Sequence, residues 1–336
     1  MKNKMIEQFK ALTLDNIARE LTIPKKTLII FHARPDADAI GSAFALRELL
    51  RVMGVPVYCA CSDELPDRLA FLADGVQGSV VLEDDLIIDY ERIISVDSAS
   101  PSQLGAIFGR LHRDVDIMID HHAKGSVYAN NYIDPTAAAT GEIIYSLACI
   151  LCDIGAIEQI PDRALNCIYA AISGDTGSFR YSNTTPQTLL TVAKIIERGI
   201  DFSYINSCLY DSKPLVQMRA EALAVENLEL FCGQRVAAIT FPYSLKASIG
   251  AKDEHLETLI DVARGVEGVE VAFVVKQQEH NSPYRVSMRS VGDIDVSRVC
   301  ARFGGGGHMR AAGCTVEANS IERARDMILA EVEKII

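Results

Sequence analysis

The stretch Phe31–Ala43, FHARPDADAIGSA, decides how the first half of the chain is read. Before it, KKTLII is an apolar run that reads as a buried strand ending near His32. After it, AIGSAFALRELLRVMGV reads as a helix, with Gly54 at its C-terminal stop. His32, Asp36 and Asp38 therefore crowd onto a short strand-to-helix turn, where the carboxylates repel one another.

The pattern repeats outward from that turn. VPVYCAC, ERIISVDSAS and DVDIMIDHHAKG read as further strands, with Asp97 ending the second of these and Asp120, His121 and His122 ending the third. TAAATGEIIYSLACILCDIG and DRALNCIYAAISGD read as helices, the latter followed by Asp175. Short strands that are apolar throughout and separated by helices favour a parallel sheet covered on both faces. TTPQTLLTVAKIIERGID has good helix boundaries in its Thr-Pro start and late Gly. Phe202–Leu230 is helical in pattern and reads as a linker. Beyond it, RVAAITFPY, GVEVAFVVKQQ, YRVSMRSV and GCTVEA read as strands, and DEHLETLIDVARGV and IERARDMILAEVEKII as helices. The expected fold class is α/β: a parallel-sheet domain over 1–201, a helical linker over 202–230, and a smaller α/β domain over 231–336.

In an open α/β sheet, ligands bind outside the C-terminal ends of the strands. His32, Asp36, Asp38, Asp97, His121 and Asp175 can all converge there. Two ionised carboxylates about 4 Å apart at an effective dielectric of about 20 cost roughly 4 kcal/mol. Four of them either protonate or bind cations. Two divalent ions cancel four aspartates if one carboxylate bridges them. Oxygen ligands suit Mg²⁺ or Mn²⁺, and two imidazoles favour Mn²⁺. Such an ion pair suits hydrolysis at phosphorus. Taken singly, each residue has a plainer reading: Asp36 or Asp38 as a turn or N-cap residue, Asp97 as a cap, Asp175 in SGDTGS as a turn residue.

In the second half, FGGGGHMRAAGC (Phe303–Cys314) offers backbone amides to an anion with no Cβ in the way. Alternation along YRVSMRS puts Arg285, Ser287 and Arg289 on one face. The functional reading has Arg289 and His308 gripping a substrate phosphate.

Composition narrows the partners. The chain has 336 residues, a net charge of -12 and 49% hydrophobic residues. That acidity argues against a long duplex as ligand and leaves room for a small anion. No run reaches the length of a membrane span, and the N-terminus reads as an amphipathic helix, not a signal peptide. Nine cysteines without an export signal suggest reduced thiols and a cytoplasmic location. Cys149 and Cys152, in an apolar helical run with no second ligand pair, read as core residues.

HARPDADAIGS, SVDSAS, IDHH, SGDTGSFRYSNTTP and GGGGHMRAAG, in this order, resemble the motif series of the DHH/DHHA1 phosphoesterase superfamily, with Asp120-His121-His122 as its tripeptide. Size and layout are similar to the nanoRNase branch, which acts on short oligoribonucleotides and phosphoadenosine phosphate. The resemblance implies a DHH catalytic domain, a DHHA1 substrate-binding domain and an active site in the cleft between them. It implies two Mn²⁺ ions, with Mg²⁺ as the alternative. One ion would take His32, Asp36 and Asp97; the other would take Asp38, Asp97, His121 and Asp175. His122, Asp97 and Asp38 would be catalytic, with His122 at the substrate phosphate, and Asp120 would fix the geometry around them. Arg289, Gly305, Gly306, Gly307 and His308 would bind a short single-stranded RNA or small nucleotide. The family admits a homodimer. Arg34 stands where many relatives carry a smaller polar residue, and its role is open. A RecJ-like exonuclease would carry further nucleic-acid-binding domains, and a family II pyrophosphatase would carry a Ser-Arg-Lys signature absent here. Hydrolysis of linear dinucleotides from cyclic-dinucleotide turnover, and a non-catalytic nucleotide sensor, are the competing functions.

Overall fold

The computed structural model describes residues 9–73, 80–81 and 89–336. The chain divides into two compact units, Met1–Ser212 and Lys213–Ile336. The N-terminal helix occupies α1 (Leu14–Leu21), opened by a Thr13 capping box; the first eight residues of the expected amphipathic helix lie outside the described residues.

In the first unit, β1 (Thr27–Ile30), β2 (Val57–Ala60), β3 (Val80–Val81), β4 (Arg92–Val96), β5 (Ile117–Asp120) and β6 (Asn130–Ile133) form one sheet in the order β3-β2-β1-β4-β5-β6. Every pairing is parallel. The strand order reverses between β1 and β4, the switch point where such sheets open a crevice at their carboxyl ends. Successive residues of β1 serve opposite faces. Ile29 packs among α2 (Ala37–Val52), α4 (Thr140–Asp153) and α5 (Asp162–Asp175), while Leu28 and Ile30 pack with Leu104 and Ile107, the latter from α3 (Ala106–Arg110). Both sheet faces are thus buried, which is why the strands read as unbroken apolar runs. α6 (Pro186–Glu197) and α7 (Phe202–Asn206) complete the unit.

Small residues let the helices meet. A Cβ on Gly41 of α2 would lie 2.5 Å from the Cys167 carbonyl oxygen of α5, and one on Gly174 would lie 2.6 Å from the Ala37 Cβ. This close approach brings the start of α2, with Asp38, against the end of α5, with Asp175.

The second unit begins with α8 (Leu215–Glu226), then β7 (Leu228–Phe231), β8 (Val236–Phe241), α9 (Tyr243–Ser248), α10 (Leu259–Arg264), β9 (Val271–Gln277), β10 (Tyr284–Ser290), α11 (Val296–Ala301), β11 (Gly306–His308), β12 (Ala311–Val316) and α12 (Ile321–Val332). Its sheet runs β11-β12-β10-β9-β8-β7 and is antiparallel except for β8 with β9. α11 and α12 cover one face; α8 and α10 cover the other over β8 and β9.

Four local readings change. Leu228–Leu230, taken as the end of a helical run, belongs to an edge strand paired with β8. Three residues of the glycine run, Gly306–His308, are an edge strand, not a loop. Asp175 is the last residue of α5 instead of following it. Cys149 and Cys152 are half-buried at the edge of the core, not inside it. Among the described residues no helix is long and apolar enough to cross a membrane.

Candidate metal centre

The turn after β1 carries out both readings of Asp36. Its Oδ1 caps α2, accepting from the amides of Asp38 and Ala39 at 3.0 Å each, and also lies 3.7 Å from His32 Nε2. Asp97 follows β4 with φ of 52°, a left-handed conformation that aspartate tolerates better than most residues. Its carboxylate is nearly sealed from solvent, and its two oxygens face different histidines. Oδ2 is 3.6 Å from His32 Nε2; Oδ1 is 3.8 Å from His121 Nε2. His121 Nε2 also lies 3.8 Å from Asp38 Oδ2 and 3.5 Å from Asp175 Oδ2. The six side chains from four separate stretches therefore form two groups, His32–Asp36–Asp97 and Asp38–His121–Asp175, with Asp97 reaching both.

The donor chemistry fits cations. His32 Nδ1 lies 2.9 Å from the Ala33 carbonyl oxygen and His121 Nδ1 lies 3.3 Å from that of Ala137. Carbonyls only accept, so both Nδ1 atoms carry the proton, and each Nε2 turns its lone pair into the carboxylate cluster. That tautomer, fixed from behind, is the one metal-bound histidines adopt. Without a cation the cluster is electrostatically strained. Burial, then the charges of Asp97 and Asp175, push the Asp38 carboxyl well above its ordinary range. Burial and the charges of Asp36 and Asp97 raise Asp175 to about 8. Burial opposes charge on His32, but hydrogen bonds and charges from Asp36 and Asp97 outweigh it and raise its pKa to about 11.

His122 is placed differently. Its Nδ1 is 2.7 Å from Asp120 Oδ1, which also accepts from the backbone amides of His121 and His122. Asp120 thus ties the end of β5 to both imidazoles. Burial disfavours the imidazolium of His122, yet the bond to Asp120 prevails and lifts its pKa to about 9.

Three supporting residues escape a sequence reading. The start of α4 has no side-chain cap of its own; instead the Thr140 and Gly141 amides donate to Asp38 at 2.7 and 2.9 Å. The Thr140 hydroxyl donates to Asp97 Oδ1 at 2.9 Å, and Ser42 donates to Asp38 Oδ1 at 2.9 Å. Asn183 Nδ2 bonds the carbonyls of Ala138 and Asp175. Only Ser42 carried a signal, four residues after Asp38 on the same helix face; Thr140 and Asn183 have polar roles that tertiary contacts alone reveal.

In the second unit, Arg289 sits on β10 in register with Ala311 of β12, which is itself in register with His308 of β11. Arg289 and His308 therefore stand in one row across three strands. Gly305 is required by packing, since its Cβ would lie 2.2 Å from the Gly313 carbonyl oxygen, and Gly307 by φ of 140°. Gly306 meets neither limit and lies open. Arg34 is exposed with φ of 52°, its amide held by Asp63 at 2.7 Å.

Comparison with known proteins matches this architecture. A model of the DHH family N-terminal domain matches residues 26–172, and a DHHA1 domain model matches residues 235–334. The Thermus thermophilus protein named bifunctional oligoribonuclease and PAP phosphatase NrnA is 27% identical over 307 residues, spanning 91% of this chain and 89% of its own. The Listeria monocytogenes cyclic-di-AMP phosphodiesterase PdeA is 24% identical over 97% of this chain but only 49% of its own. Among solved structures, an exopolyphosphatase-related protein from Bacteroides fragilis superposes with a TM-score of 0.85 at 22% identity, over 96% of both chains.

Proposed function

Since this chain belongs to the DHH phosphoesterases, a DHH domain followed by a DHHA1 domain, we propose that it hydrolyses short oligoribonucleotides to nucleoside 5′-monophosphates and removes the 3′-phosphate of adenosine 3′,5′-bisphosphate. The observation that carries this reading is Asp97, whose two oxygens face His32 and His121 in separate carboxylate groups. His32 Nε2, Asp36 and Asp97 would hold one divalent cation; Asp38, Asp97, His121 Nε2 and Asp175 would hold a second, with Mn²⁺ preferred for the two imidazoles. When bound, such ions neutralise phosphoryl charge and lower the pKa of water toward 7.

The chain's own residues supply the rest. Asp97 joins the two groups and keeps them at a fixed separation. Asp38, held by three hydrogen bonds, cannot swing away as charge develops. With Nδ1 bonded to Asp120, His122 presents Nε2 as the atom that hands a proton to the leaving oxygen. Arg289, Gly305, Gly306, Gly307 and His308 bind the remainder of the substrate, the arginine and imidazole flanking a floor of small residues.

The test is release of mononucleotide from a labelled dinucleotide, and of phosphate from adenosine 3′,5′-bisphosphate, with Mn²⁺ and with chelator. Turnover of both with Mn²⁺ and of neither with chelator is expected; binding without turnover identifies a sensor and overturns the reading. Similarity to the relative named as a cyclic-di-AMP phosphodiesterase supports a second reading, hydrolysis of linear dinucleotides alone. Loss of activity on tri- and pentanucleotides would favour it.

A further inference from the structure

The face of the second sheet that carries Arg289 is covered unequally. Over β8 and β9, Ala237, Ile239, Ala272 and Val274 are buried beneath α8 and α10. Over β10, β12 and β11 the same face bears Ser287, Ala311, Gly313 and Gly306, a floor with no large side chain. At the border of these halves stand two cations in direct register, Arg285 of β10 and Lys276 of β9. Alternation puts them on the Arg289 face, four residues along the strand from it, about 13 Å between Cα atoms.

Among the described residues neither Lys276 nor Arg285 pairs with a carboxylate. Lys276 Nζ has one modest hydrogen bond, to the Leu256 carbonyl oxygen at 3.3 Å. The acids whose charge reaches it are Glu257 and Asp253, and Asp253 is already bonded to Lys246 and Gln278. Burial, together with the charges of Arg285 and Arg289, lowers the Lys276 pKa. A half-buried ammonium facing two guanidiniums, in a chain of net charge -12, is the inverse of the acidic cluster in the first unit. There, carboxylates gathered without cations; here, cations gather without an anion.

We propose that Lys276 and Arg285 form a second anion subsite, which takes a phosphate other than the one assigned to Arg289. Its ligand class is a nucleotide or oligonucleotide with more than one phosphate, so the pair favours longer or terminally phosphorylated substrates. The identity of that ligand rests on the hydrolase reading above; the subsite itself is tested by binding, without turnover. Fluorescence anisotropy on the full chain in chelator would compare 5′-phosphorylated pentaadenylate with the single-phosphate dinucleotide ApA. A charge-assisted contact contributes roughly 1.5–3 kcal/mol, so Arg285→Gln and Lys276→Met should each weaken the pentanucleotide about tenfold or more. ApA should hold within about twofold, as it lacks the second phosphate. Each variant should also flatten the salt dependence of pentanucleotide binding by about 0.7 in log–log slope, which a packing defect would not do. Unchanged pentanucleotide affinity in Arg285→Gln, or equal weakening of both probes, overturns the subsite. Should Lys276→Met prove unstable, Arg285→Gln, which removes a half-buried side chain, decides alone. Failure of Mn²⁺-dependent hydrolysis would strike the catalytic reading and leave these binding outcomes intact.

Discussion

At the scale of the residue, Asp97 concentrates the chemistry. It is nearly sealed from solvent, adopts a left-handed backbone, and sends its oxygens to two histidines. Asparagine tolerates the same backbone and fills the same volume, so Asp97→Asn removes charge without disturbing the turn. Such a change should cut Mn²⁺-dependent turnover by roughly three orders of magnitude or more, since metal charge stabilisation is worth several kcal/mol. Melting in chelator should stay near the parent protein's. Steady-state rates and calorimetric counting of bound Mn²⁺ check both halves, and full activity in this variant would remove Asp97 from the centre. The convergence of His32, Asp36, Asp38, Asp97, His121 and Asp175 was legible in the sequence because each lies at or near the end of a strongly patterned element. Thr140 was not. Its hydroxyl matters only because α4 starts beside Asp97, a fact of tertiary placement that no spacing encodes.

At the scale of the element, the site depends on three helices approaching more closely than ordinary side chains allow. Gly41 of α2 sits against the backbone of α5, where an added methyl meets the Cys167 carbonyl at 2.5 Å and the Ala171 Cβ at 2.9 Å. Gly41→Ala should therefore destabilise the first unit by about 1–3 kcal/mol, the usual effect of overpacking a tight core. It should also weaken Mn²⁺ binding, because separating α2 from α5 moves Asp38 from Asp175. Thermal melting and metal titration measure these two effects, and a neutral outcome in both would show that the helices adjust freely. Strong patterns such as TLII and IMID were readable as strands, and AIGSAFALRELL as a helix. β7 and β11 were not. LELF follows helix-forming residues without a break and is exposed on a sheet edge, so no buried alternation marks it. GGH has no strand propensity, and only its pairing with β12 holds it extended.

At the scale of the whole molecule, two acid–base ledgers of opposite sign were readable from the sequence as charge clusters, whereas the positions of their partners came only from the fold. The metal centre has a consequence for stability. In the cation-free protein, Asp175 titrates near 8 instead of its ordinary 3.8, so the folded state holds a proton that the unfolded state has released across that interval. Its contribution is complete at acid pH and is lost as pH rises through about 8. The same sign applies to His122 between 6.5 and about 9, and to His32 between 6.5 and about 11. Protons here stand in for metal, holding the carboxylates together while the pH is low. The melting temperature in chelator should accordingly fall from pH 5 to pH 9. Mn²⁺ competes with those protons, so its stabilisation should grow with pH over the same range. At a concentration of a hundred times its dissociation constant it adds about 2.7 kcal/mol. Scanning calorimetry at pH 5, 7 and 9, with Mn²⁺ and with chelator, reads the difference directly. Two melting curves that stay parallel across the series would mean that cation and proton do not share the cluster, and the six side chains would then have to be held together by packing alone.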